Sequence, residues 1–334
     1  MLIIRNPPQN IQDSHKKYFE IVKQIELPEL SLIHHKYSLL LANGVLIDKN
    51  GFCRESLLYN NRINDKLFVF RIFKYILKKI ICVSLSFKVS DYPRVSVINE
   101  WTTNYFHWIT EALPRIIYAK EKIGYFKLLL PEIYKNYHYI LETLDLLEIE
   151  VLWFSKGLLF INNILIPSRQ APYSAHYNPE YILKVHSQII NRIKLDFKIG
   201  DRIYIARKKS AFRKIENENE VINLVTSYDF KVVEYENFSF NEQVSISYNA
   251  SVLMSIHGAG LTNMIFGKKG MLVYEFSLQN QYLDKCYYTL SEACQHNYYY
   301  QFCDSTDLLC SYQESNLIVD IETLRQNMIS LFGY

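Results

Sequence analysis

Short apolar runs recur along the chain, separated by longer stretches whose apolar residues fall at helical spacing. Runs at 94–98, 126–130, 150–154 and 163–167 read as one series of strands. Those at 201–206, 230–234, 251–257, 271–276 and 298–302 read as a second. Strands that alternate with helical stretches predict α/β domains built on parallel sheets. Between the two series lies Pro167-Ser-Arg-Gln-Ala-Pro-Tyr-Ser-Ala-His-Tyr-Asn-Pro179, whose three prolines mark a crossing from one domain to the next. The tail from Ile321 has the spacing of an amphipathic helix. Proteins of this class bind ligands outside the carboxyl ends of their strands.

The segment 67–83 is apolar except for Arg71, Lys74, Lys78 and Lys79, which share one narrow face when wound as a helix. This pattern suits either a core helix with one solvated basic stripe or a helix lying on an anionic membrane surface. The second alternative predicts peripheral contact with the inner membrane.

Three clusters carry residues able to do chemistry. In the first, Asn104-Tyr105-Phe106-His107-Trp108-Ile109-Thr110-Glu111-Ala112-Leu113-Pro114-Arg115, His107 and Glu111 are spaced to share one helix face. A carboxylate beside an imidazole suits a general base and its orienting partner, although such a pair also occurs on ordinary solvated helices. The second cluster runs from Arg202 to Glu218 and is a strand followed by a basic loop with Arg207, Lys208, Lys209, Arg213 and Lys214. Arginine forks and lysine point charges placed there suit a phosphate-bearing ligand, and a solvated charged face is the plainer alternative. The third, His257-Gly258-Ala259-Gly260-Leu261-Thr262-Asn263, reads as a strand end, a glycine turn and a helix start. Glycines there let the backbone approach a ligand, and unpaired amides at a helix start suit a diphosphate. Glu275 closes the next strand, where an acid can accept from two ribose hydroxyls.

Composition narrows the reading. The 334 residues are 49% hydrophobic and 15% aromatic, enough for two full cores and against wholesale disorder. A net charge of +3 gives no argument for nucleic acid. Six scattered cysteines lack Cys-x-x-Cys or zinc-ligand spacing, which predicts reduced thiols in a reducing compartment. No signal peptide or charge-free stretch of roughly 20 residues is read, so a cytoplasmic protein is expected. The absence of Gly-x-Gly-x-x-Gly after an early strand disfavours a dinucleotide-dependent oxidoreductase or epimerase.

Taken together and in this order, the three clusters resemble glycosyltransferase family 61, in the form found in bacterial capsule and lipopolysaccharide loci. The family's Asn-Tyr-aromatic-His-Trp block is met by Asn104 to Arg115. Its Arg-x-Tyr-Ile-Ser-Arg block is met by Arg202 to Glu218, and its His-Gly-Ala-Gly-Leu-Thr-Asn block with a Glu-ending strand by His257 to Glu275. Ala206 stands where the family has Ser, Lys214 where it has the second Arg of a pair, and the first ninety residues match poorly.

The resemblance implies a GT-B-like α/β fold, with two Rossmann-type domains whose parallel sheets face each other across a cleft. Residues 1–170 would form the acceptor-side domain, 171–320 the nucleotide-sugar-binding domain, and 321–334 a helix packing back on the first. It implies inverting transfer from a nucleotide-diphosphate sugar, with UDP as the expected nucleotide, to a glycan or lipid-linked oligosaccharide acceptor. No cofactor or metal is expected, and no Asp-x-Asp triplet is present. Glu111 would be the base and His107 its orienting partner. Arg207, Arg213, Lys214, His257, Gly258, Ala259, Gly260, Leu261, Asn263 and Glu275 would hold the donor, and Asn104, Tyr105, Trp108 and Arg115 would line the acceptor side. A non-catalytic nucleotide- or sugar-binding partner in a polysaccharide assembly complex is the alternative.

Overall fold

The computed structural model describes residues 1–57, 92–155, 158–207, 213–278, 285–306 and 315–333. The basic segment 67–83, Lys208 and Lys209 lie outside the described residues. Fifteen strands occur among them: β1 Leu2–Ile4, β2 Gln24–Glu26, β3 Leu32–Leu41, β4 Leu46–Asp48, β5 Gly51–Phe52, β6 Arg94–Val95, β7 Lys127–Pro131, β8 Glu150–Phe154, β9 Leu158–Pro167, β10 Arg202–Ile205, β11 Phe230–Val233, β12 Val252–Ile256, β13 Leu272–Leu278, β14 Asn297–Ser305 and β15 Leu317–Ile318. The chain forms two compact units, one of Leu27–Ser174 with Met1, the other of Leu2–Glu26 with Ala175–Tyr334.

The first unit holds a seven-stranded sheet in the order β5-β4-β3-β9-β6-β7-β8. It is mixed rather than parallel, which corrects the expectation for this half. β6, β7 and β8 run parallel, and β6 is also parallel to β9. In contrast, β3 pairs antiparallel with both β4 and β9. The link from β3 to β4 is too short for anything but a hairpin. It turns at Gly44, whose φ of +91° favours glycine and whose added Cβ would lie 2.5 Å from the Ile98 carbonyl oxygen.

The second unit is a Rossmann-like α/β layer. Its sheet runs β11-β10-β12-β13-β14-β15, parallel throughout except for β15 at the edge. Counted within the unit, the parallel strands stand in the order 2-1-3-4-5, so the winding reverses between β10 and β12. Every residue of β12 is buried, as expected of a strand covered on both faces. Tyr204, Met254, Ile256, Tyr274 and Phe276 share one core with Val221, Leu224 and Val225 of the helix Glu218–Thr226.

Two segments lie where the sequence reading did not put them. The tail helix Ile321–Phe332 buries Leu324 and Met328 in that same core of the second unit. Residues 2–26 also belong to the second unit. Gln9 donates its amide to the Tyr298 carbonyl, Asn10 bonds the backbone of Tyr300, and Phe19 packs edge-on against Tyr288. These partners lie almost 300 residues away in sequence, so no local pattern announces them.

Candidate functional site

In the first unit the site residues stand on a helical run made of Tyr105–His107, a π-helical turn Trp108–Ala112 and Leu113–Ile123. Asn104 starts the run, its side chain accepting the Phe106 amide at 2.9 Å. The π turn has a cause in the sequence. Pro114 has no amide to give to the carbonyl four residues back, and the Leu113 amide bonds that of Trp108, five residues back. The Thr110 hydroxyl bonds the Phe106 carbonyl at 2.7 Å, a back-bond of the kind that bends helices.

Glu111 sits inside this turn. Its Oε1 lies 3.0 Å from His107 Nδ1, with side-chain exposures of 13% and 15%, so both are sheltered yet reachable. Among the described residues, neither of these two atoms has a well-aligned hydrogen-bond partner. Trp101 and Phe106 pack on the His107 ring, with centroids 5.0 Å away in both cases. A partly exposed carboxylate beside an imidazole is the kind of pair that can accept a hydroxyl proton.

The four residues expected on the acceptor side divide. Asn104 is exposed, and Tyr105 is half-buried with its ring edge-on to Tyr139. Trp108 is fully buried and donates Nε1–H to the Thr143 hydroxyl at 2.8 Å, so it is a core residue. Arg115 is 4% exposed and gives its guanidinium to the carbonyls of Pro167, Val97 and Glu55. These bonds tie the helix to β9 from within. The physical reason is burial: a cation enclosed beside three carbonyls is held by them.

In the second unit the candidate site lies where the winding of the sheet reverses. Arg207 follows β10 and His257 follows β12. A Cβ on Gly258 would stand 2.5 Å from Arg207 Nη1, so any larger residue there would move the guanidinium from its place. That same nitrogen reaches the His257 carbonyl at 3.5 Å. Gly260 lies close to β10, with Ile205 Cγ2 only 3.1 Å from where a Cβ would be. Burial lowers the Arg207 pKa, as does the charge of nearby Arg213, while Tyr287 and Glu236 oppose the shift. A guanidinium remains charged throughout.

The segment after the turn is a 3-10 helix, Ala259–Phe266, where the start of an ordinary helix was expected. Leu261 is fully buried and its amide is spent on the Gly258 carbonyl at 2.9 Å. Asn263 is 1% exposed and bonds the Gly260 carbonyl at 3.2 Å. Both therefore shape the turn from inside. Among the described residues, the amides of Gly258, Ala259 and Gly260 have no acceptor. Arg213 adopts φ +57° and is near enough to Arg207 to weigh on its charge. The Lys214 backbone is tied to Asn316 and Leu317, which fixes where the basic loop returns to the sheet.

His257 and Glu275 are both buried. His257 Nδ1 lies 2.5 Å from Glu275 Oε1, and the Tyr298 hydroxyl donates to Glu275 Oε2 at 2.6 Å. Burial first, and then the Glu275 charge, hold Tyr298 well above the usual tyrosine range, so its hydroxyl stays a donor. On the other side of the ring, His257 Nε2 is 3.9 Å from the Cys286 sulfur, and Tyr287 packs edge-on. Both Glu275 oxygens are thus engaged, and the residue is 3% exposed. Tyr298 and Cys286 were not singled out in the sequence; each stands in another element, and nothing in their own neighbourhoods signals the contact.

A family model described as Glycosyltransferase 61 matches residues 105–274, just over half of the chain. The chain is 35% identical over 95 residues to the EGF domain-specific O-linked N-acetylglucosamine transferase of Gallus gallus, covering 27% of this chain and 17% of that protein. The Rattus norvegicus protein of the same name is 33% identical over 95 residues, covering 27% and 18% respectively. That of Drosophila melanogaster is 29% identical over 109 residues, covering 31% and 21%. These matches thus span about a fifth of the relatives' length.

Two predictions follow from the environments described. Arg115→Met strands the carbonyls of Pro167 and Val97, and unfolding in urea should show a loss of about 3 kcal/mol. A stable variant that only lost an acceptor would return Arg115 to the binding surface. The second concerns His296, whose Nε2 bonds the Met264 carbonyl at 2.8 Å beneath the 3-10 helix. Burial pushes its pKa down from 6.5 to about 4. The unfolded chain takes the proton first, so this contribution is full above pH 6.5 and lost as pH falls from there toward 4. At about 1.4 kcal/mol per pH unit the loss reaches roughly 3 kcal/mol. His296→Gln should flatten the pH dependence of the urea midpoint over this window; an unchanged slope counts against it.

Proposed function

The chain belongs to the glycosyltransferase 61 family, and we propose that it is an inverting, GT-B-like transferase that moves a sugar from a nucleoside-diphosphate donor to a glycan hydroxyl. The observation that carries this reading is the sheet reversal between β10 and β12, which brings the Arg207 cation to three free amides of a glycine turn. Such a place suits a diphosphate. As the acceptor oxygen attacks the anomeric carbon, the bond from that carbon to the phosphate oxygen breaks. Negative charge then grows on the departing nucleoside diphosphate. In this reading Arg207, Arg213, Lys214 and the amides of residues 258–260 meet that charge without a metal. Glu111 takes the acceptor's proton and His107 orients it.

We assign UDP as the nucleotide and a bacterial surface polysaccharide, built on the cytoplasmic side of the inner membrane, as the product. A second reading follows from the relatives' names, in which the sugar is N-acetylglucosamine and the acceptor a hydroxyl of an EGF domain. Offering a lipid-linked oligosaccharide and an EGF-domain polypeptide to the same enzyme separates the two by which one gains the sugar.

A thermal-shift panel of uridine, guanosine, cytidine and adenosine diphosphates and their sugars tests the donor site. Stabilisation by the uridine series, kept in EDTA, is expected; no shift with any nucleotide sinks the reading. Glu111→Gln should keep that stabilisation and lower turnover by about 100-fold or more. Unchanged turnover removes Glu111 as the base. No transfer by the wild type, with donor binding intact, would leave a binding partner of a polysaccharide assembly complex.

A further inference from the structure

We propose that Glu275 is a positioning residue for the diphosphate site, acting through His257 on Arg207 and the glycine turn, and not a ligand of the donor's ribose. This deepens the donor reading given above and rests on it. The chain of contacts is continuous. The Tyr298 hydroxyl holds one oxygen of Glu275 at 2.6 Å, and His257 Nδ1 meets the other at 2.5 Å. The same His257 offers its carbonyl to Arg207 Nη1 at 3.5 Å, and its amide is bonded to the Phe276 carbonyl at 2.8 Å. His257 is thus held by its side chain and by its main chain, one residue before the free amides.

The chemistry of the partners fixes the imidazole's proton. A carboxylate only accepts, so the ring nitrogen that faces Glu275 carries the hydrogen. Nε2 then turns its lone pair toward the Cys286 thiol, 3.9 Å away. The titratable and charged groups around His257 come from four elements: Glu275 on β13, Tyr298 on β14, Cys286 and Tyr287 on the helix Cys286–Ala293, and Arg207 beyond β10. Exposure of 3% for Glu275 and 4% for His257 leaves the pair beneath the turn. A ribose would have to displace Tyr298 or His257 to reach the carboxylate. Losing the carboxylate frees the imidazole to rotate or change tautomer, which loosens the carbonyl under Arg207.

A ribose ligand and a positioning residue differ in what they do to a ligand that has no ribose. Binding of inorganic pyrophosphate and of UDP is measured by calorimetry on the full chain, for wild type, Glu275→Gln and Tyr298→Phe. The nitrogen shifts of the His257 ring, assigned with His257→Asn, report which nitrogen is protonated. Glu275→Gln should weaken both ligands by the same factor, tenfold or more, and move the ring proton from Nδ1 to Nε2, since the new amide can donate. Tyr298→Phe should weaken both by a few-fold with the proton still on Nδ1, and it carries the test if Glu275→Gln does not fold. Weakened UDP with unchanged pyrophosphate would make Glu275 a ribose ligand and overturn the proposal. An unmoved ring proton with both affinities unchanged would also overturn it. Wild type that binds neither ligand overturns the diphosphate reading itself, and this role falls with it.

Discussion

The parallel pairing of β10 with β12 is the constraint on which the second unit's chemistry depends. Arg202 to Ile205 align with Val252 to Ser255, and the Ser255 hydroxyl adds a bond to the Ile205 carbonyl at 2.8 Å. Because the strands run the same way, their carboxyl ends emerge together. Arg207 and His257 therefore meet although fifty residues separate them. Gly258 completes the arrangement by having no Cβ in the path of the guanidinium. In this unit glycine serves the packing of protein on protein, and among the described residues the turn's three amides are left without an acceptor.

Legibility followed burial. Strands covered on both faces are nearly unbroken apolar runs, and so β10, β12 and β13 stood out in the sequence close to their observed bounds. β3 did not. Its ten residues, Leu32–Leu41, include two histidines, a lysine and a tyrosine, and only three of them are buried. A partly solvated strand carries a weak pattern, so the antiparallel half of the first sheet was invisible. Nor does amphipathicity name a partner. The tail helix was legible as a helix, but that Leu324 and Met328 face the second unit's core depends on tertiary contacts.

Within the motif blocks, residue type predicted chemistry less well than surroundings do. Arg115 and Arg207 are both arginines in family-like blocks. One distributes its donors over three carbonyls in a closed interior; the other lies beside a turn with amides to spare. Trp108 and Asn263 likewise hold the protein together from within, through the Thr143 hydroxyl and the Gly260 carbonyl. A sequence block mixes residues that build the site with residues that meet the ligand. Only the count of satisfied donors and acceptors tells them apart.

That count also marks Glu111 and His107. Buried polar atoms are normally paired, and leaving one unpaired costs about 1–3 kcal/mol. Yet Glu111 Oε1 and His107 Nδ1 face each other at 3.0 Å without alignment, on a helix turn already widened by Pro114. Glu275 shows the opposite condition, with each oxygen matched to a donor. An oxygen that already accepts one hydrogen bond keeps a second lone pair, so it is the enclosure of Glu275, 3% exposed, that keeps an incoming hydroxyl from it. The two acids of the motif blocks therefore stand in different surroundings. Glu275 is held on both oxygens before any ligand arrives, while the Glu111 side chain stays 13% exposed beside His107.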